Sequence, residues 1–405
     1  MRKYIESFLC GFLSCASVFL LVILILSYTG VLNLVGVLNT GDAALKTKVN
    51  EKVNKIERFV DAYYLDEIDP DQMAESIYKG VVAGLGDDYA AYYTREEYQT
   101  ITEKTSGTYC GIGAYVTQNT ETGAIVIVKP IAGGPAEKAG LQAEDIIYAI
   151  DGKKVTGEDL SEALARVKGE AGTEVKLQII RSGESDYLDF TLVREEIEDD
   201  TVSSRMLTDE IAYIAVSSFE EVTKEQFEAA LKDLQDQGMQ ALIIDLRDNG
   251  GGLLSAAVQM LDQMLPKGLV VYTEDKEGVA EKYYAEDDDE ITVPVAILVN
   301  GNSASASEVF SGAMQDEGKA KLIGTTTFGK GIVQTIFDLK DGSALKMTTS
   351  KYFTPKGRNI HGTGLEPDIV VELDKNTLDQ KDASGKEKPD NQMQAAIEYL
   401  QGEKR

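Results

Sequence analysis

Residues 293–308 read Val-Pro-Val-Ala-Ile-Leu-Val-Asn-Gly-Asn-Ser-Ala-Ser-Ala-Ser-Glu. A short apolar run at 293–299 gives way to Asn300-Gly301-Asn302, which is the pattern of a buried strand ended by a turn. Val309, Phe310, Ala313 and Met314 follow at helical spacing, so a helix is predicted over 305–316. Strand, sharp turn and helix together place Ser305 between small neighbours, a setting that exposes a serine hydroxyl for attack.

The same alternation extends in both directions. A strand is predicted at 211–216, an amphipathic helix at 224–237, a buried strand at 241–246 and a helix at 253–265, which makes residues 196–374 an α/β core. Residues 107–195 differ. Apolar runs at 112–116, 124–128, 146–150 and 175–180, punctuated by glycine-rich turns, predict a small β domain with a helix at 160–167. Residues 42–106 carry helical spacing (Val53, Ile56, Val60, then Met73, Ile77, Val81, Leu85), with Asp69-Pro70 as a helix start. That segment reads as packing or homodimer contacts. Residues 375–405 form a polar tail with a terminal helix. The whole is a mixed α+β and α/β multidomain chain.

Residues 7–40 contain no charge, and residues 8–28 are apolar and long enough to span a bilayer. Arg2 and Lys3 precede them, which favours a cytoplasmic N-terminus. No Ala-x-Ala-like cleavage site follows. The expectation for residues 1–41 is therefore a cytoplasmic stub and an uncleaved single-pass anchor, with the bulk of the chain extracytoplasmic. The net charge of −28, without a basic cluster, argues against a nucleic-acid partner. Three cysteines, two of them in the apolar run, allow no disulfide framework, and with a single histidine, His361, no metal site is expected. No cofactor is implied.

With one histidine in the chain, a serine nucleophile needs another base. Phe328-Gly329-Lys330-Gly331 offers Lys330, and Ser-Lys pairs are a known form of such catalysis. Lysine must lose its charge to act as a base, and burial is what lowers its pKa. The acidity of the chain works in the opposite direction, so burial has to win. If 332–339 is a strand, Lys330, Ile332 and Gln334 share a face, and Gln334 can orient the amine. The N–H of Ala306, at the start of its helix, is one candidate oxyanion donor. A second is an N–H of Gly251 or Gly252, in the Asp245-Leu246-Arg247-Asp248-Asn249-Gly250-Gly251-Gly252 turn. Read singly, these motifs are a helix cap, a surface turn and a glycine-rich connection. A phosphate loop is disfavoured because the Lys-Ser/Thr ending is missing.

Taken together, the motifs resemble those of the C-terminal processing peptidases of family S41, tail-specific serine proteases with a Ser-Lys dyad. The resemblance runs over residues 53–373. It implies Ser305 as nucleophile, Lys330 as base and Gln334 as third member, within a crotonase-like β/α core. Glu308 and Asp316 match acidic positions of lesser role and read as structural. Residues 107–195 resemble a PDZ module, which implies that Gly111-Ile112-Gly113-Ala114 binds a substrate's C-terminal carboxylate through backbone N–H groups. Ala143-Glu144 and Asn249-Gly250 depart from the family's usual turn and Asn-Pro sequences. The implied function is a membrane-anchored endopeptidase acting on protein or peptide C-termini outside the cytoplasm. The alternatives are a non-catalytic PDZ scaffold on the same fold and an acyl-CoA enzyme of the crotonase type.

Overall fold

The computed structural model describes residues 42–155, 160–286, 290–378 and 388–403. The expected anchor at residues 8–28 and the rest of 1–41 lie outside the described residues, as do residues 379–387 of the polar tail. No helix among the described residues is long and apolar enough to cross a membrane. The chain divides into two compact units, Met1–Ser76 and Ile77–Arg405. In the first, helix Asp42–Tyr63 is followed by a start signal at Asp69. There Oδ1 of Asp69 accepts the N–H groups of Asp71 and Gln72 at 3.0 and 3.1 Å, as expected of an N-cap before Pro70.

The core of the second unit is a six-stranded sheet. Its spatial order is Val202–Met206, Ile211–Val216, Ala241–Asp245, Val295–Val299, Ala320–Gly324 and Ile369–Val370. Only the first pairing is antiparallel. Every residue of Ala241–Asp245 and Val295–Val299 is buried. Both faces of these parallel strands are covered, which is why they read as unbroken apolar runs.

Alternate residues serve the two faces. Leu242, Ile244, Ile297 and Val299 pack with Phe227 and Leu234 of helix Thr223–Asp236, Met260 and Leu261 of helix Leu254–Asp262, and Phe310 and Met314 of helix Ala306–Asp316. Ile243, Ala296 and Leu298 pack with Met393, Ile397 and Leu400 of the terminal helix Asn391–Glu403.

A second, five-stranded sheet is built on the long strand Ala344–Phe353, paired with Ile332–Asp338, Gly268–Asp275 and Ala91–Tyr93. Ala91–Tyr93 corrects the expectation that residues 42–106 are helical throughout. Three residues carry no readable alternation; an available edge of Ala344–Phe353 makes them a strand. Helix Arg95–Ser106 follows, closed by a Thr94–Glu97 capping box.

The small β domain is antiparallel, in the order Ala114–Gln118, Ile125–Pro130, Ile146–Ile150, Glu174–Ile180, Leu188–Val193. Ala114–Gln118 is an edge strand. Helix Leu160–Val167 turns Ala163 and Val167 onto a core of Ile125, Ile127, Ile147 and Leu177.

Phe310 is fully buried, with its ring centroid 6.2 Å from that of Phe219 and 6.3 Å from that of Phe227. Phe310→Ala leaves a cavity under helix Ala306–Asp316 and should cost about 3–5 kcal/mol in denaturant unfolding.

Candidate active site

Ser305 sits at the turn between strand Val295–Val299 and helix Ala306–Asp316, with φ 56° and ψ −115°. That conformation is costly for a residue with a Cβ and persists only when its surroundings fix it. Ala304 N–H donates to the Asn249 carbonyl at 3.1 Å. The flanking hydroxyls hold the turn from both sides. Ser303 Oγ donates to the Leu246 carbonyl at 2.7 Å, and Ser307 Oγ to the Asn249 carbonyl at 2.9 Å. Both are fully buried, whereas Ser305 is half-buried. Of the three serines, the outer two are structural donors and the middle one is presented at the surface of the site.

Glu308 does more than the sequence suggests. Its carboxylate is fully buried and accepts four hydrogen bonds. Oε2 takes Ser305 N–H at 2.9 Å and Lys330 N–H at 2.8 Å. Oε1 takes Gly329 N–H at 2.8 Å and Thr327 Oγ1 at 2.5 Å. Because Ser305 and Lys330 share one oxygen, their backbone nitrogens lie within about 6 Å of each other. Ser-x-x-Glu is legible as a capping box. Its grip on a loop some twenty residues away is not, because that contact is tertiary.

The Lys330 side chain is half-buried. Burial pushes its pKa below the usual lysine value, and the positive charge of Lys346 adds to the effect, while Asp87 and Glu308 oppose it. Its Nζ lies over the Tyr89 ring, 4.8 Å from the centroid. No hydrogen bond among the described residues joins that amine to Ser305 or Gln334. Gln334 instead donates from Nε2 to Thr348 Oγ1 at 3.4 Å.

The expectation that Lys330, Ile332 and Gln334 share one strand face is corrected. The strand begins only at Ile332, so Lys330 lies before it, and the pairing skips Thr349 of Ala344–Phe353 between Val333 and Gln334. His361 is exposed on the loop beside Gly331.

Gly251 lies against the Ser305 turn. A Cβ there, at φ 99°, would stand 2.8 Å from Ser305 Cβ and 2.9 Å from Ala306 N, so only glycine fits. Its own N–H donates to Asn249 Oδ1 at 2.8 Å. Gly252 backs onto a different neighbour: its Cβ would meet the Phe219 carbonyl at 2.1 Å. Gly251 is therefore the one of the pair that touches the Ser305 turn. Ala306, first in its helix, has no intrahelical acceptor for its N–H.

In the β domain, Gly111, Ile112, Gly113 and Ala114 line a cavity of about 290 Å³, closed by apolar side chains that include Leu164 and Val167. Gly113 takes a left-handed φ of 67° just before the edge strand. The groove between that strand and helix Leu160–Val167 has the form that accepts an added peptide strand.

A strained serine at a strand-to-helix turn, a half-buried lysine whose backbone is tied to it through Glu308, and a peptide groove are together consistent with a serine peptidase carrying a PDZ domain. Comparisons with known proteins agree. Residues 210–371 match the family model for peptidase family S41, and residues 126–181 match the model for the PDZ domain. The carboxy-terminal processing protease CtpA of Bacillus subtilis is 37% identical over 83% of this chain and 70% of that protein. The carboxyl-terminal-processing protease of Synechocystis is 36% identical over 80% of this chain and 75% of that protein. A solved S41 protease structure from Bacteroides fragilis shares the fold, with a TM-score of 0.50 at 16% identity over 84% of this chain and 93% of that one. The chain belongs to peptidase family S41 and is a serine-type C-terminal processing peptidase.

Removing the Glu308 carboxylate frees four donors at once and unties Ser305 from Lys330. Glu308→Ala should lower kcat by about 100-fold with KM little changed, measured on a peptide substrate, because the reacting groups lose their alignment.

Proposed function

We propose that this chain is a membrane-anchored endopeptidase in which Ser305 is the nucleophile, Lys330 the general base and Gln334 the residue that orients the amine. The observation that carries the reading is the Glu308 carboxylate, which fastens the backbone of Ser305 and the backbone of Lys330 to one oxygen atom. A lysine whose pKa is lowered by burial suits the role. In the reaction, neutral Lys330 Nζ takes the Ser305 hydroxyl proton as Oγ bonds to the scissile carbonyl carbon. The carbonyl oxygen becomes an oxyanion, received by the N–H groups of Ala306 and Gly251. Gly251 must turn its N–H from Asn249 to do so. The C–N bond then breaks and the Lys330 ammonium gives its proton to the departing amine. Water attacks the acyl-enzyme by the same route, which restores the Ser305 hydroxyl.

The PDZ groove is assigned the substrate's C-terminus, with the carboxylate at Gly111, Ile112, Gly113 and Ala114 and an apolar last side chain in the cavity. Residues 8–28 anchor the chain in the cell membrane with the N-terminus cytoplasmic and the peptidase outside. What supports the anchor is the charge-free stretch 7–40 with Arg2 and Lys3 before it.

Ser305→Ala and Lys330→Ala should each abolish peptide hydrolysis without changing the unfolding midpoint. Hydrolysis retained in purified Lys330→Ala would overturn the dyad. Because the base must be neutral, kcat/KM should fall as pH drops through the Lys330 pKa, and that limb should lie below the ordinary lysine value.

For the groove, amidating a peptide's C-terminus should weaken its binding about 10-fold or more, and Leu164→Arg should do the same for an unmodified peptide. Equal affinity for amidated and free peptides rejects carboxylate recognition.

A further inference from the structure

The turn at residues 87–90 takes no part in the reaction as described, yet it meets Lys330 directly and Gln334 by way of Thr348. Asp87 Oδ1 accepts Tyr89 N–H at 2.9 Å, and the Asp87 carbonyl accepts Ala90 N–H at 3.1 Å. The turn leads directly into strand Ala91–Tyr93, which is fixed to Ala344–Phe353. The buried Tyr92 ring packs edge-on to Tyr78 at 5.4 Å. Tyr89 is thus held by its own backbone while its half-buried ring lies under Lys330 Nζ, 4.8 Å away. Asp87 Oδ2 accepts Thr348 N–H at 3.4 Å, and the hydroxyl of that same threonine accepts Gln334 Nε2.

An aromatic face attracts an ammonium far more than a neutral amine. The ring therefore favours the charged form of Lys330, the one that cannot accept a proton from Ser305. We infer that Tyr89 is a positioning residue that docks the Lys330 side chain, as its ammonium, out of hydrogen-bond contact with Ser305 in the resting enzyme. The inference rests on Lys330 being the base. Release from Tyr89 couples two events that catalysis needs together, loss of the proton and movement of the amine toward the hydroxyl. Gln334, held on Thr348, turns to receive it.

The charged groups around the amine are Lys346 on the neighbouring strand, Asp87 on the turn and Glu308 on the nucleophile helix. Lys346 disfavours the ammonium, and the other two favour it along with the Tyr89 ring. The carboxyl of Asp87 is itself held below its usual range, first by the Tyr89 N–H, so it keeps its charge as the pH falls.

The test uses the full chain with Tyr89→Leu, which removes the aromatic face, and Tyr89→Phe, which keeps it. Two midpoints are read. One is the acid limb of kcat/KM on a peptide substrate. The other is the pH dependence of reductive methylation of Lys330, followed by peptide mass spectrometry in a Ser305→Ala background. With Tyr89→Leu both midpoints should fall by about 0.5–1 unit, a roughly three- to ten-fold gain in rate at the acidic end. With Tyr89→Phe both should stay in place. Unmoved midpoints in Tyr89→Leu, or equal movement in Tyr89→Phe, overturn the inference. If Tyr89→Leu does not fold, Tyr89→Met keeps the bulk without the ring and makes the same comparison. Methylation does not depend on Lys330 being the base. If Lys330→Ala retains hydrolysis, the dyad fails while the methylation midpoint still reports whether the docking exists.

Discussion

A carboxylate with no access to water is tolerable only when its oxygens are fully engaged. Glu308 meets that condition with two partners on each oxygen, drawn from the serine turn and from the lysine loop. Neither segment alone can satisfy it. The strand-turn-helix carrying Ser305 and the loop carrying Lys330 are therefore stable only together, and their relative placement is set before any substrate arrives. Thr327 extends the arrangement, since its hydroxyl donates to Glu308 and accepts Leu365 N–H at 2.7 Å. The Tyr352 hydroxyl reaches the Ser305 carbonyl at 3.3 Å from the other side. The left-handed Ser305 backbone is held by this enclosure, not by any local preference.

Elements with strong periodicity were legible from sequence. Strand Ile211–Val216 stands at its expected bounds, and helices Thr223–Asp236 and Ala306–Asp316 lie within one residue of theirs. Their signal is local: apolar spacing, turn residues and caps. What escaped is tertiary in origin. Strand Ala91–Tyr93 exists because a neighbouring edge accepts it, and the register shift before Gln334 arises from pairing with Ala344–Phe353. Glu308 looks like an ordinary capping glutamate until the chain returns to it at Thr327. Tyr89 bears no motif that marks it as a neighbour of Lys330, which is 241 residues away in sequence. Small flanking residues mark Ser305 and Lys330 as candidates in the sequence; the groups that hold them carry no such local mark.

A chain with a net charge of −28 is a poor place to keep a lysine neutral. Long-range repulsion and attraction among exposed charges are screened within about 8–10 Å. Local terms decide instead. Burial of Lys330 is the largest of them, and Lys346 adds a like charge in a region where the overall composition would predict the reverse. The site thus isolates itself from the average field of the protein by desolvation and by one nearby cation.

The glycine loop facing Ser305 shows the same principle in the backbone. Asp248, Gly251 and Gly252 all have positive φ, a conformation that is costly for Asp248 and open to the two glycines, and the loop is held in it from outside. Three separate anchors hold it. Asp248 Oδ1 accepts Asn300 Nδ2 and Asn302 Nδ2 at 3.0 and 2.8 Å. Phe219 N–H donates to the Gly251 carbonyl at 3.1 Å, and the Phe219 carbonyl accepts Leu253 N–H at 2.6 Å. Arg247 binds Asp245 next to it and reaches Asp390 and Gln392, at the start of the terminal helix, at 2.9 Å each. The loop is thereby fixed at its beginning, middle and end, and little freedom remains except the orientation of the Gly250-Gly251 peptide, whose N–H now rests on Asn249. In the proposed reaction, an oxyanion forming at Ser305 would compete with that neutral side-chain oxygen for the same donor. A charged acceptor makes the stronger bond, so under that proposal the donor would be free for developing negative charge and occupied without it.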